Sequence, residues 1–152
     1  MSVGEVCNRS VVFIDKEGSI VEAAQLMRSH HVGTLVVIDP SQGKHPKPVG
    51  IITDRDLVIE IVAPEVDMNS ATVGDVMSGN LVTARESDDL FDTIKMMRSK
   101  GVRRVPVLAN DESLVGIISV DDIIDLLAEQ LNDVVGLMLR EQEREKARRE
   151  RP

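Results

Sequence analysis

Apolar positions along this chain change period in a fixed order, and that order occurs twice. Val11 to Ile14 is a short apolar run and predicts a strand. Ile20, Ala23, Ala24 and Met27 then recur at helical spacing, which predicts an amphipathic helix with Ser19 as its N-cap. Leu35 to Ile38 and Val49 to Ile52 are almost wholly apolar, as strands buried on both faces are, and a second helix is predicted just after Thr53. The second half repeats the series. Leu81 to Ala84 predicts a strand, and Leu90, Ile94 and Met97 a helix capped by Asp89 and stopped by Gly101. Val105 to Leu108 and Val115 to Ile118 predict two strands, with a helix after Ser119.

Alignment of residues 3 to 38 with 73 to 108 needs no gap and gives nine identities. Val3-Gly4-Glu5-Val6 meets Val73-Gly74-Asp75-Val76, and Met27-Arg28-Ser29 meets Met97-Arg98-Ser99. The offset of 70 then falls to 66, because the loop from Asp39 to Pro48 has ten residues where Ala109 to Leu114 has six. A length change confined to a Pro-, Gly- and Ser-rich surface loop is what two copies of one unit tolerate. Only two copies at this period imply a pseudo-twofold pair, not a solenoid. The organisation expected is a first unit over 3–62, a linker over 63–72 containing Pro64, Asn69 and Ser70, a second unit over 73–131 and a helical extension over 132–152.

The final helix continues where its counterpart stops. Ile124, Leu127, Leu131, Val134 and Met138 step by three and four, an apolar seam of two heptads. Residues 140–151 carry six basic and four acidic side chains, with Glu145 at helical spacing from Arg148 and Arg149, and read as a solvated, fraying helix end. Gly136 costs the helix about 1 kcal/mol relative to alanine and marks a kink or a close contact.

Composition narrows the function classes. Hydrophobic content of 42% and charged content of 29% are ordinary for a globular domain, and no apolar run is long enough to span a bilayer. The acidic start Met1 to Val6 does not resemble a secretory signal, so a cytoplasmic protein is expected. A net charge of −8 argues against nucleic acid as a partner, and any phosphate must meet a local basic patch. Phe13 and Phe91 are the only aromatics, so a bound base would lie between aliphatic side chains. Cys7 is the lone cysteine and reads as a small buried hydrophobe. No Ser-His-Asp order, metal-ligand cluster or complete phosphate loop stands in the sequence, since Gly43-Lys44 lacks the loop spacing; a non-enzymatic protein is expected.

Candidate chemistry gathers at the start of each second helix. Val49-Gly50-Ile51-Ile52-Thr53 is followed by Asp56, and Val115-Gly116-Ile117-Ile118-Ser119 by Asp122. A hydroxyl, a carboxylate and free N–H groups at a helix start suit a ligand with sugar hydroxyls and an anionic end. The same spacing is also a variant of the capping box, in which both side chains satisfy backbone N–H groups. Arg103 and Arg104 read either as a phosphate grip or as a solvated strand edge. His30 and His31 fall at a predicted helix end, where capping is their ordinary role, and Met27, Met96 and Met97 read as core filling.

The doubled unit order, Val105-Pro106-Val107 and the two Gly-Ile-Ile-(Thr/Ser)-x-x-Asp segments together resemble a tandem CBS-domain pair, or Bateman module, over residues 3 to about 131. The fold this implies is α/β of the α+β kind: two β-α-β-β-α units about a pseudo-twofold axis, followed by the extended helix. The resemblance implies two clefts that bind an adenosyl ligand, with AMP, ADP, ATP, NAD and S-adenosylmethionine as candidates and no required cofactor. By the same resemblance Thr53 and Asp56 serve one cleft and Ser119 and Asp122 the other, with Arg103 and Arg104 at a phosphate position. The first copy has Gly33 and Thr34 at that position, with His31 just before, and Arg55 as a weak substitute. A stand-alone regulatory module that forms homodimers, signals by conformational change and controls a protein partner is what the family implies. The alternative is a dimerisation adaptor with empty clefts, which the seam from Ile124 to Met138 favours.

Overall fold

The computed structural model describes residues 1–45 and 47–150. A helical turn α1 (Val3–Val6) leads through an extended segment to β1 (Phe13–Asp15), α2 (Ile20–His30), β2 (Thr34–Ile38) and β3 (Pro48–Thr53). Then α3 (Asp54–Leu57) runs into a π-helical stretch, Val58–Val62. The second series is α4 (Val73–Val76), β4 (Ala84–Arg85), α5 (Leu90–Lys100), β5 (Arg104–Leu108), β6 (Leu114–Ser119) and α6 (Val120–Arg149). Two three-stranded sheets result, ordered β1-β2-β3 and β4-β5-β6, each with one parallel and one antiparallel pairing. Even the irregularities match: the register slips between Val37 and Ile38 in one sheet and between Val107 and Leu108 in the other.

The expected first strands are shifted. Val11 to Ile14 and Leu81 to Ala84 give way to Phe13–Asp15 and Ala84–Arg85. Their leading apolar residues, Val11, Val12, Leu81 and Val82, line clefts between the units, and of these Val12 also accepts from the Val36 N–H of β2 at 3.1 Å. Apolar character was read correctly there, but its use is to wall a cavity.

Helix ends follow the expected caps. The Ser19 side chain accepts from the Glu22 N–H at 3.0 Å, and Asp89 accepts from Phe91 and Asp92 at 3.0 and 3.1 Å. Gly101 closes α5 in the left-handed region at φ 66°, and His31 closes α2 at φ 54°. Glycine adopts that conformation without a Cβ penalty, whereas histidine does not. His31→Gly is therefore expected to raise stability by about 1 kcal/mol, seen as a higher urea midpoint at unchanged slope.

The opening turn of each unit packs into the core of the other. Val3 is fully buried with Ala84, Leu90, Met97, Val105, Val107 and Ile118 of the second unit. Val73 is fully buried with Ile14, Ala23, Leu35 and Ile52 of the first. Backbone hydrogen bonds repeat the exchange: Val3 N–H to Asp88 O and Gly4 N–H to Glu86 O, both 2.9 Å, match Val73 N–H to Gly18 O at 2.9 Å and Gly74 N–H to Lys16 O at 2.7 Å. Just beyond the turns, Asn8 pairs with Ile117 on β6 and Ser78 with Ile51 on β3. The glycine of the repeated Val-Gly-Ile-Ile run makes room for this crossing. A Cβ on Gly50 would stand 2.8 Å from Ser78 O, and one on Gly116 3.0 Å from Asn8 O.

Asp39 anchors the longer first-unit loop. Its carboxylate accepts from Ser41 and from Lys16 Nζ at 2.9 Å, and the Ser41 hydroxyl foremost, then Lys16, lowers its pKa to about 2. A carboxyl depressed on folding stabilises above its unfolded value and loses that contribution as pH falls through the folded one. The loop contact is thus expected to persist to pH 3 and to fail near pH 2, and an NMR titration of the Asp39 carboxyl should give a midpoint of about 2. A midpoint near the ordinary aspartate value of 3.8 would contradict it.

α6 is one continuous helix. The end expected to fray stays helical to Arg149, with Arg149 paired to Glu145 and Arg140 to Glu143. Val120 and Ile123 tie its first turn to the second core, and Leu126 packs against the same core. From Leu127 to Glu150 every residue is exposed.

Candidate functional site

Both hydroxyl–aspartate pairs form reciprocal caps. The Thr53 N–H donates to Asp56 Oδ2 at 2.9 Å, and the Asp56 N–H to Thr53 Oγ1 at 3.2 Å. The Ser119 N–H donates to Asp122 Oδ2 at 2.8 Å, the Asp122 N–H to Ser119 Oγ at 3.2 Å, and the Ser119 hydroxyl to Asp122 Oδ2 at 2.6 Å. The capping reading of the spacing is therefore real in both copies. It leaves chemistry to spare, because each cap engages Oδ2 and leaves the second oxygen of the carboxylate available as an acceptor.

Two clefts lie between the units, one on either side of the pseudo-twofold axis. One, of about 270 Å³, joins Ser119 and Asp122 to the first unit's His31–Thr34 turn and its extended residues Asn8, Ser10, Val11 and Val12. The other, of about 450 Å³, joins Thr53, Asp54 and Arg55 to Val102, Arg103 and Arg104 and to Ser78, Asn80, Leu81 and Val82. Each helix start thus faces the opposite unit's turn. Arg103 and Arg104 consequently meet Thr53, the copy whose own phosphate position holds Gly33 and Thr34. Of the six residues expected at the site, Ser119, Asp122 and Arg104 share the smaller cleft, while Thr53, Arg103 and Arg104 share the larger. Asp56 is held by its cap and does not line the larger cleft, where Asp54 and Arg55 stand in its place.

Thr34 and Arg104 line both clefts. They occupy equivalent positions at the head of β2 and β5, opposite Thr53 and Ser119 in the strand register. Thr34 Oγ1 is buried without a hydrogen-bond partner among the described residues, a state that normally costs about 1–3 kcal/mol. An unpaired hydroxyl between two clefts is a group ready to bond a guest or a bridging water.

Charge divides the clefts. Arg55, Arg103 and Arg104 against Asp54 make the larger one cationic, whereas Arg104 against Asp122 leaves the smaller balanced. Sequence reasoning missed Asn8, Ser10, Ser78 and Asn80. Their signal was present as polar positions matched at the offset of 70, just before the expected first strands. Among the described residues no group of three or more His, Cys, Asp and Glu side chains is placed to hold a metal ion, and no helix is long and apolar enough to cross a membrane.

An α+β tandem pair with exchanged opening turns and two inter-unit clefts defines the class. The CBS-domain family model matches residues 3–63 and 73–129, and the chain belongs to that family. An uncharacterized protein of Methanopyrus kandleri is 34% identical over 126 residues, covering 83% of this chain; the match spans 62% of that protein's length. Hypoxic response protein 1 of Mycobacterium tuberculosis is 31% identical over 119 residues, 78% of this chain and 80% of its own. Among solved structures, the CBS domain pair of protein MJ0100 in complex with 5′-methylthioadenosine and S-adenosyl-L-methionine aligns with a TM-score of 0.72 and 27% identity. That alignment covers 86% of this chain and 98% of the other.

Proposed function

We propose that this chain is a non-enzymatic regulatory module that binds adenosyl ligands in its two inter-unit clefts and transmits occupancy by changing the relative setting of the units. The observation that carries the reading is the composition of the larger cleft. Thr53 at a capped helix start, three arginines and the aliphatic Ile51, Leu81 and Val82 offer phosphate, sugar and base their respective partners. The adenosyl ligands of the MJ0100 pair support the ligand class. The larger cleft suits AMP, ADP, ATP or NAD, and the balanced Ser119–Asp122 cleft suits an adenosyl group without phosphate, such as S-adenosylmethionine. In the latter, Asp122 Oδ1 accepts from the ribose hydroxyls. A ligand held by both units stabilises one inter-unit setting over another, which a partner protein then reads.

The module acts as a homodimer in the cytoplasm, with 63–72 as the linker between units and 132–152 as the C-terminal extension, of which residues 151 and 152 lie outside the described residues. Isothermal titration with AMP, ATP, NAD and S-adenosylmethionine tests the reading. Saturable binding of one or more is expected, with phosphate-bearing ligands weakened in Arg103→Gln. Silence from all four would overturn it and leave the adaptor reading, which the exposed seam of α6 favours.

A further inference from the structure

The strongest unused feature is the free length of α6. Its 30 residues span about 45 Å, and only the first turns rest on the body. Ile124, Leu127, Leu131, Val134 and Met138 are all more than half exposed, and Val135, Leu137 and Leu139 widen the apolar surface. Continuous exposure of this kind marks a surface that is covered in use. The chain's own charge pattern says by what. Residues 120–139 hold Asp121, Asp122, Asp125, Glu129 and Asp133 and no basic side chain. Residues 140–149 hold Arg140, Arg144, Lys146, Arg148 and Arg149 against three glutamates.

We infer that α6 of one chain pairs antiparallel with α6 of a second copy, seam against seam, so that the basic end of each lies along the acidic half of the other. A parallel pair would set acid against acid and base against base, and like charges side by side select against that orientation. The antiparallel pair is also self-complementary about a twofold axis, as an isologous contact must be. Its layers are apolar throughout the centre: Leu127 of one copy meets Met138 of the other, and Leu131 meets Val134. In that register the stretch that carries Arg140 and Arg144 lies along the start of the second copy's α6, which carries Asp121, Asp122 and Asp125. Gly136 falls outside the seam, and the space around it is open. This inference does not depend on what the clefts bind.

Disulfide trapping reads the orientation directly. In a Cys7→Ser background, full-length Leu127→Cys and Met138→Cys chains are mixed and oxidised, and the products are separated by intact mass. Both positions are exposed, so the substitutions spare the core. The mixed 127–138 product is expected to exceed either self-linked product several-fold, and Leu131→Glu is expected to weaken association of the otherwise unmodified chain at least tenfold by sedimentation. Self-linked Leu127→Cys as the main product would establish the parallel pair and overturn the inference. Absence of any cross-link at high protein concentration, with helicity unchanged by circular dichroism, would overturn it equally.

Discussion

Arg104→Gln is expected to weaken ligand binding in both clefts by about 10–100-fold, whereas Arg103→Gln is expected to weaken binding only in the larger. The difference follows from placement. Arg104 lies at the head of β5 against the pseudo-twofold axis and lines both cavities, while Arg103, one residue earlier, lines only the Thr53 cleft. A charge-assisted hydrogen bond contributes about 1.5–3 kcal/mol, which sets the size of the loss when glutamine keeps the length and removes the charge. Two-site calorimetry separates the cases. If Arg104→Gln left one site at full affinity, the shared wall would not be a shared contact. One guanidinium serving two clefts also means that an anionic ligand in one withdraws the arginine from the other. In wild type, filling the larger cleft with a phosphate-bearing ligand is therefore expected to lower affinity in the smaller one. The two bindings are then linked reciprocally, by the same factor in each direction.

Much of this arrangement was legible in the residues. Ser19, Asp89 and Gly101 announced their helix ends because capping is a local interaction, decided within one turn of chain. The strands β2 and β5 were plain because burial on both faces leaves an apolar run that a surface strand lacks, whereas the equally apolar β3 and β6 bury one face and leave the other half-buried, with Ile51 and Ile117 lining the clefts. What the pattern could not show is which unit's turn faces which cleft. Val3 and Val73 are the same residue in matching contexts, so exchanging their positions leaves every periodicity and every composition unchanged. The pairing of Arg103 with Thr53 follows from that exchange and was hidden with it. Asp56 illustrates a second limit. Spacing makes it the twin of Asp122 and both form the same reciprocal cap, yet only Asp122 lines a cleft.

The exchange of opening turns leads to the other large effect. Val3→Ala is expected to destabilise the second unit and Val73→Ala the first, each by about 2 kcal/mol. Both valines are fully buried, and removing two methyl groups costs their transfer free energy of about 0.8 kcal/mol each plus the cavity left behind. Val3 sits among Leu90, Met97 and Val105, so its loss should first appear as faster amide exchange in α5 and β5, more than 80 residues away in sequence. Val73→Ala should instead loosen α2 and β2 around Ala23 and Leu35. Exchange accelerated next to the substituted residue in its own sequence unit, with the other unit untouched, would contradict the crossed packing. The crossing also bears on signalling. Because each core contains a piece of the other unit's chain, the two units cannot separate without unfolding a turn, and a ligand in either cleft is expected to shift their relative setting without parting them. The Asn8–Ile117 and Ser78–Ile51 backbone pairs lie at the crossing points and carry Asn8 and Ser78 into the two cleft walls. A change in either cleft is therefore expected to reach the opposite core through one short segment of backbone.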